Sequence, residues 1–247
     1  MDWSDEGVVV SLRGHGETSA IIEVLTATHG RHAGIVRGGA SRKMKPVLQP
    51  GTQVTVDWHA RLEEHLGTFR VEPLRSRTRV LSDRAALAGL GSVCALVRFA
   101  FPERMDLPAL YAATVDLIER MEADENWAVH YALWEKELLD GLGYGLDLSD
   151  CAVTGSVEDL IWVSPKSGRA VSRSAGQDWQ DRLLPLPPFL RDATTQARAS
   201  EVMDALKTTG CFLERWLAPA LGDRPVPEAR MRLIAALVRM QQREEGG

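Results

Sequence analysis

The chain has 247 residues and ordinary hydrophobic and charged fractions of 45% and 26%, so it can bury a core as one large domain or two modest ones. Its formal net charge of -5 argues against a uniformly basic surface, and no uncharged segment reaches the roughly 18 residues that a membrane-spanning helix needs. The first residues, with Asp2, Asp5 and Glu6, lack the basic and apolar regions of a signal peptide. Three widely separated cysteines (Cys94, Cys151 and Cys211) favour a reduced, cytoplasmic protein.

The first third of the chain predicts five short β-strands. Apolar and polar side chains alternate within residues 8–13 and, most clearly, within residues 54–59, where Val54, Val56 and Trp58 share one face. Residues 20–26, 31–37 and 67–74 have the composition of three more strands, separated by turns that contain glycine. Five strands in about 75 residues are too few for an open sandwich and typical of a closed barrel, so we predict an OB-fold domain over residues 1–80.

The remainder, residues 81–247, predicts a mostly helical domain with an inserted β-hairpin, which makes the fold class α+β. Ser82 is a candidate N-cap for a helix that ends before Pro102. Further helices are expected over residues 107–121, 127–142, 199–217 and 227–241, and the hairpin is expected near residues 158–173. Aromatic residues on these helices, and Cys94, are interpreted first as core.

A run of cations follows the third strand, in a segment we call the basic loop (Ile35–Pro50). It contains Arg37, Arg42, Lys43 and Lys45 around the pair Gly38-Gly39, and no acidic residue occurs between Glu23 and Asp57. Such a concentration in an acidic chain predicts an anionic partner, although a solvated surface loop has a similar composition. Cations on the polar phase of neighbouring strands extend the candidate DNA-binding set, which is Arg13, Arg37, Arg42, Lys43, Lys45 and Arg70.

Motifs for covalent chemistry are not found. There is no G-x-S-x-G elbow, no H-E-x-x-H, no Walker loop and no dinucleotide fingerprint, and Cys151 has no C-x-x-C partner. We therefore predict no catalytic residue, no metal, no cofactor and no small-molecule substrate. A small hydrolase or nuclease is the disfavoured alternative, because no acid cluster supports it.

Several short motifs, in this order and spacing, resemble the RecO family of bacterial recombinational repair proteins. They are Gly16-Glu17-Thr18-Ser19, Thr28-His29-Gly30-Arg31, Arg37-Gly38-Gly39, Leu48-Gln49-Pro50, Leu142-Gly143-Tyr144-Gly145 and Cys151-Ala152-Val153-Thr154-Gly155. The resemblance covers essentially the whole chain. It implies an OB-fold followed by a helical domain, binding of single- and double-stranded DNA, strand annealing, association with RecR, and help in loading RecA on strands coated by single-strand-binding protein (SSB). Some members carry a four-cysteine zinc module, of which this chain keeps only Cys151, so no metal is carried over.

The acidic helical domain is expected to bind protein rather than DNA. Trp134, Lys136, Arg230 and Arg232 are the candidates for docking the SSB tail, and a solvated helix face is the alternative for such scattered cations. A second reading of the whole chain is a protein-interaction scaffold whose barrel binds a protein instead of DNA. Localisation is expected to be cytoplasmic and nucleoid-associated.

Overall fold

A computed structural model describes residues 1–124 and 126–245, with side chains described up to residue 243. The first element group is a closed barrel of five strands in the order β1-β2-β3-β5-β4, which confirms the predicted OB-type barrel. Every neighbouring pair is antiparallel except β3 and β5, which are parallel. The strands are β1 (Asp2–His15), β2 (Ser19–Thr26), β3 (Arg31–Val36), β4 (Gln53–His59) and β5 (Thr68–Arg75).

Strand β1 is longer than predicted, since it begins at Asp2 instead of Val8. Its first half pairs with β4, from Asp2 opposite His59 to Val8 opposite Gln53, and its second half pairs with β2. The β1–β2 register shifts between Val9 and Ser11, just after Val8, the last residue of β1 that pairs with β4. The first residues of this strand are mostly polar, so alternating hydrophobicity in the sequence does not reveal where it begins.

The barrel encloses its own core. Alternate side chains of β4 and β5 point inward, and Val54, Val56, Trp58, Phe69 and Val71 are all buried. Side chains from the basic loop also contribute, because Leu48 is fully buried and Met44 and Val47 pack against this cluster. The loop is therefore anchored to the barrel at its own apolar residues.

Helices and a small sheet make up the rest. The helices are α1 (Thr78–Ser82), α2 (Arg84–Ala100), α3 (Pro108–Ala123), α4 (Trp127–Gly141), α5 (Arg173–Gly176), α6 (Ala199–Phe212), α7 (Ala218–Ala220) and α8 (Glu228–Glu245). A π-helical turn over Leu213–Leu217 joins α6 to α7. The predicted hairpin is confirmed as β6 (Leu160–Val163) and β7 (Ala170–Ser172), and a third strand, β8 (Leu184–Pro185), pairs with β6.

The cap of α2 is Asp83 and not Ser82, which corrects the sequence interpretation. The Asp83 Oδ1 atom accepts a hydrogen bond from the Ala86 backbone N–H at 2.7 Å, while Ser82 is the last residue of α1. A carboxylate at a helix N-terminus both satisfies a free N–H and interacts favourably with the helix dipole. The one-residue change leaves the predicted helix in place.

The described residues form two compact units. The first contains residues 1–123 and 227–236, and the second contains residues 124–226 and those from 237 onward. The predicted domain boundary between residues 80 and 81 stays a prediction, since compactness measures packing and not independent folding. No helix in the described part of the chain is long and apolar enough to cross a membrane.

Candidate nucleic-acid interface

The backbone of the basic loop is fixed by tight turns and hydrogen bonds. Gly38 has a φ of +71°, which favours glycine, and a Cβ on Gly39 would lie 2.8 Å from the Cβ of Ala20. Backbone hydrogen bonds fix the following residues, including Ala40 N–H to the Thr18 carbonyl at 3.0 Å and Leu48 N–H to the Met44 carbonyl at 3.0 Å. The polar side chains of the loop are consequently presented from a fixed backbone.

Four cations project from this loop. Arg37, Arg42, Lys43 and Lys45 are all exposed, and within residues 1–124 and 126–243 none has a carboxylate at ion-pair distance. Unpaired, hydrated cations of this kind are available to an incoming anion without the cost of breaking an internal ion pair.

Arg31 is different from the other cations of the acid-free stretch. Its guanidinium forms an ion pair with Glu23, lies 3.4 Å from Glu103, and donates from Nε to the Phe101 carbonyl at 3.1 Å. Glu23 also accepts from Arg98 Nε at 2.9 Å. Burial by itself would raise the pKa of Glu23, but its hydrogen bond from Ser11 and the two arginines lower it. Arg31 is therefore neutralised by carboxylates that lie outside the acid-free stretch in the sequence.

A groove opens beside the loop, where the wall of the barrel is weakest. The parallel pairing of strands β3 and β5 is short, with one registered pair at Ile35 and Thr68. The cavity has a volume of about 740 Å³, and both Arg37 and Arg70 line it, with Met44 from the basic loop. The fold thus brings together two candidates that are 33 residues apart in the sequence.

The charge of the groove lining is mixed. Arg70 lies 3.2 Å from Glu72, but their side chains are 76% and 65% exposed, so this pair contributes little and is easily exchanged. Asp2 and Asp57 also line the groove, and the hydrogen bond from His59 lowers the pKa of Asp2. The positive field at this place therefore comes mainly from the adjoining loop cations.

Arg13 does not line the groove. It is exposed near the far end of β1, opposite Ile21 of β2. No carboxylate within the described residues pairs with it.

An aromatic layer that sequence reasoning missed closes one end of the barrel. Trp3 lies opposite Trp58 in the β1–β4 register, with their ring centroids 5.6 Å apart, and Trp58 lies opposite Phe69 in β5. Trp58 and Phe69 are buried, whereas Trp3 is only partly buried and lines the groove. Side chains two residues apart on a strand point to the same face, so Trp3, six residues before Val9, points into the barrel as Val9 does. The polar residues between them hide this alternation in the sequence.

Two of the four residues predicted to dock a protein are buried, and the other two are at least partly exposed. Trp134 is 2% exposed, and its ring is tilted by 41° against that of Tyr131 with the centroids 5.8 Å apart. The prediction that it docks a partner is therefore wrong, because the ring is part of the core. Arg230 is 4% exposed, which likewise corrects its assignment to an accessible surface. Lys136 is partly exposed and paired with Asp140 at 2.8 Å, and Arg232 is exposed, 3.7 Å from Glu228.

Lys136 lines a cavity of about 760 Å³ in the second compact unit. The apolar side chains around it include Leu146, Leu160 and Leu190, and the polar lining includes Arg191 and three aspartates (Asp147, Asp159 and Asp192). Arg191 Nε donates to the Leu148 carbonyl at 3.1 Å. The cavity therefore offers apolar contact to a partner, beside a lysine that is paired with Asp140.

Clusters for metal chemistry do not occur in the described part of the chain, where no group of three or more His, Cys, Asp or Glu side chains converges. Cys151 is buried, and its Sγ accepts from the Ser172 backbone N–H at 3.3 Å. Burial would raise the pKa of this thiol, but hydrogen bonds from Ser172 and Thr154 lower it to about 6. The bond from Ser172 holds the sulfur as an acceptor at the last residue of β7, outside the strands of the small sheet.

Comparison with known proteins gives one family over nearly the whole chain. Residues 1–77 match the family model "Recombination protein O N terminal", and residues 81–225 match "Recombination protein O C terminal". A protein named DNA repair protein RecO from Ruegeria sp. (strain TM1040) is 57% identical over 240 residues, which are 97% of this chain and 99% of that one. Proteins of the same name from Cereibacter sphaeroides (strain ATCC 17029 / ATH 2.4.9) and Dinoroseobacter shibae are 55% and 53% identical, each over 97% of this chain and 99% of their own length.

Proposed function

The chain belongs to the recombination protein O family of DNA repair proteins, and from this premise we propose that it binds DNA strands without regard to sequence and anneals complementary ones, without catalysing a covalent step. Membership confirms the resemblance seen in the motifs and assigns the chain to DNA repair and recombination. The observation that carries the proposal is a set of four exposed cations, Arg37, Arg42, Lys43 and Lys45, on an anchored loop beside an open groove of the barrel. None of the four has a carboxylate partner among the residues that the structure describes.

Phosphate recognition follows from the chemistry of these side chains. Lysine and arginine contact phosphates at any sequence, and each contact releases condensed counter-ions, so affinity falls as salt rises. If about four cations engage a single strand, the slope of log affinity against log salt is about -3, which is a loss of about 60-fold between 50 and 200 mM salt. Because two complementary strands repel each other, a surface that neutralises part of both also lowers the barrier to annealing.

A matched pair of variants tests this proposal. In the first, Arg37, Arg42, Lys43 and Lys45 are changed to Ala. In the second, Arg79, Arg84, Lys166 and Lys207 are changed to Ala, which removes the same two arginines and two lysines from exposed positions outside the basic loop. Circular dichroism and urea denaturation check that both variants fold.

The measurement is fluorescence anisotropy of a labelled oligothymidylate titrated at several salt concentrations. We expect the loop variant to lose most of its affinity and of its salt slope, and the second variant to stay close to the wild type. Equal slopes for the loop variant and the wild type would refute the role of the loop. A wild type without any salt-dependent DNA signal would favour the alternative, a scaffold whose barrel binds protein.

The partners implied by the family are further proposals. We propose that the chain associates with RecR and helps to load RecA on SSB-coated single-stranded DNA, and that it works in the cytoplasm at the nucleoid. The cavity beside Lys136 supports docking of the SSB tail through its apolar lining, and exposed Arg232 is a separate candidate. A Lys136→Glu variant should then anneal naked strands normally but fail on SSB-coated strands, and equal annealing of both substrates would refute this site.

A further inference from the structure

A second cavity lies at the aromatic end of the barrel, and we call it the His32 pocket. It has a volume of about 510 Å³, and its lining includes Trp3, His29, His32, Trp58, Glu63 and Arg104. This volume lies within the range of sites that hold a small ligand or one group of a larger one. Trp3 and Trp58 line both this pocket and the groove beside the basic loop, so the two cavities share a wall.

His32 is the unusual residue of this pocket. His32 is only 4% exposed, and neither Nδ1 nor Nε2 has a hydrogen-bond partner within the described part of the chain. A neutral imidazole has one donor and one acceptor nitrogen. The rings of Trp3 and Trp58 stand nearly perpendicular to it, at centroid distances of 5.0 and 4.8 Å, and an indole face accepts an N–H weakly.

An aromatic face cannot donate to the other imidazole nitrogen. Burial, reinforced by the positive charges of Arg104 and His29, lowers the pKa of His32 to about 4. The ring is consequently neutral at pH 7 and keeps a lone pair. Buried acceptors in folded proteins nearly always have a donor, so the lone pair points to a group supplied from the pocket.

The remaining walls are flat and fixed. Trp3 stacks on His29 with centroids 4.1 Å apart and an angle of 8° between the rings. His29 is held in turn by Asp5, which accepts from its Nδ1 at 2.9 Å and from the Thr28 backbone N–H and hydroxyl at 2.8 Å. On the rim, Arg104 donates to the carbonyls of Glu63 and His65 and so fixes the loop between β4 and β5.

These features select among ligand classes. A free phosphate is disfavoured for three reasons. A neutral His32 offers it no charge, the Arg104 guanidinium already donates to the Glu63 and His65 carbonyls, and the carboxylates of Asp2 and Glu63 line the same pocket. A planar heterocycle with N–H donors on its edge satisfies both the aromatic walls and the lone pair. All four DNA bases have such an N–H on the edge used for pairing, and proteins commonly bind unstacked bases by stacking and edge hydrogen bonds.

We propose that the His32 pocket receives one unstacked nucleobase of the strand whose phosphates lie on the basic loop. This inference rests on the proposed DNA-binding function and adds to it an element specific for single strands. In a duplex the pairing edge is already occupied, so the pocket must release its base before that base can anneal. The basic loop then holds either kind of DNA, while the pocket holds only the unpaired form.

The test compares two oligomers with the same phosphates, an oligothymidylate and an oligomer of abasic residues of equal length, by competition in the anisotropy assay. We expect the wild type to bind the abasic oligomer about tenfold more weakly, in line with the contribution of one stacked base. This comparison uses the wild-type protein alone. A His32→Phe variant, which keeps an aromatic ring but loses the acceptor, should reduce the preference to about threefold or less.

Controls separate the possible failures. His15 is exposed at the end of β1, so His15→Phe makes the same substitution outside the pocket and should leave the preference unchanged. Salt-dependent binding of both oligomers with equal affinity would overturn the pocket while leaving the proposed function intact, and no binding of either would overturn both. Competition by thymidine monophosphate as strong as that of the oligomer would show a site for free nucleotides instead, and would also overturn the proposal.

Discussion

His32 makes the stability of the barrel depend on pH in a defined direction. In the folded chain the pKa of this imidazole is about 4, because the ring is buried and faces Arg104 and His29, whereas an unfolded chain restores a value of about 6.5. Between these two values the unfolded state binds a proton that the folded state does not. The free energy of unfolding therefore falls as the pH is lowered through this window, and it is fully retained above about pH 6.5.

The magnitude follows from the two pKa values. Linkage gives a loss of about 2 kcal/mol when the pH falls from about 7 to about 4.5, and a total of about 3 kcal/mol well below both values. The other ionisable groups around the pocket include the Met1 amino group, Arg104, Asp2, Asp5, His29 and Glu63. The pKa of Asp5 is lowered, since hydrogen bonds from His29 and Thr28 outweigh burial, so its own loss of stability occurs at lower pH.

Urea denaturation of the wild type and of His32→Phe at a series of pH values isolates this contribution. We expect the variant to be at least as stable as the wild type at pH 7, because it removes two unpaired buried nitrogens and the adjoining cavity gives space for the larger ring. Its stability should fall by about 2 kcal/mol less than that of the wild type on going to about pH 4.5. Parallel pH profiles for the two proteins would refute the assignment of a neutral, buried His32.

Three further outcomes are expected elsewhere in the first compact unit. Glu23→Gln should destabilise the fold by about 3 kcal/mol in urea denaturation, because it leaves Arg31, which is 12% exposed, without its nearest carboxylate, and an unchanged midpoint would contradict this role. Gly30→Ala should lower the melting temperature strongly, since Gly30 has a φ of +63° and a Cβ there would lie 2.0 Å from the Met105 carbonyl oxygen; a wild-type melting curve would refute this. Burial raises the pKa of the Cys94 thiol to about 12, so iodoacetamide at about pH 8 should label it only after unfolding, and rapid labelling of the native protein, located by mass spectrometry, would disprove the burial.

Local patterns were sufficient to predict most elements. The alternation of Val54, Val56 and Trp58 against polar neighbours specifies a strand with one buried face, whatever lies opposite. The same logic predicted the helices, because apolar side chains at a spacing of three and four residues must face a core. It missed the start of β1, where Asp2 and Ser4 alternate with Trp3 and only the pairing with β4 reveals a strand.

Charge and burial were predicted less well. Sequence spacing could not show that Arg31 pairs with Glu23 and Glu103, or that Trp134 and Arg230 are buried. It also treated the basic stretch as uniform, whereas folding separates an internal arginine from the exposed cations of the basic loop. Each of these outcomes depends on residues that are distant in the chain.

The sequence by itself determined the class of fold, the presence of the basic loop and the family, because each rests on residue types at short, fixed spacing. Only the tertiary structure decided which cations are exposed, that Arg37 and Arg70 line one groove, and that the His32 nitrogens are buried without a hydrogen-bond partner among the described residues. The physical reason is the distance along the chain over which each property is determined. Backbone periodicity is a property of neighbouring residues, but ion pairing, desolvation and cavities depend on which distant side chains the closed barrel brings within a few ångströms of each other.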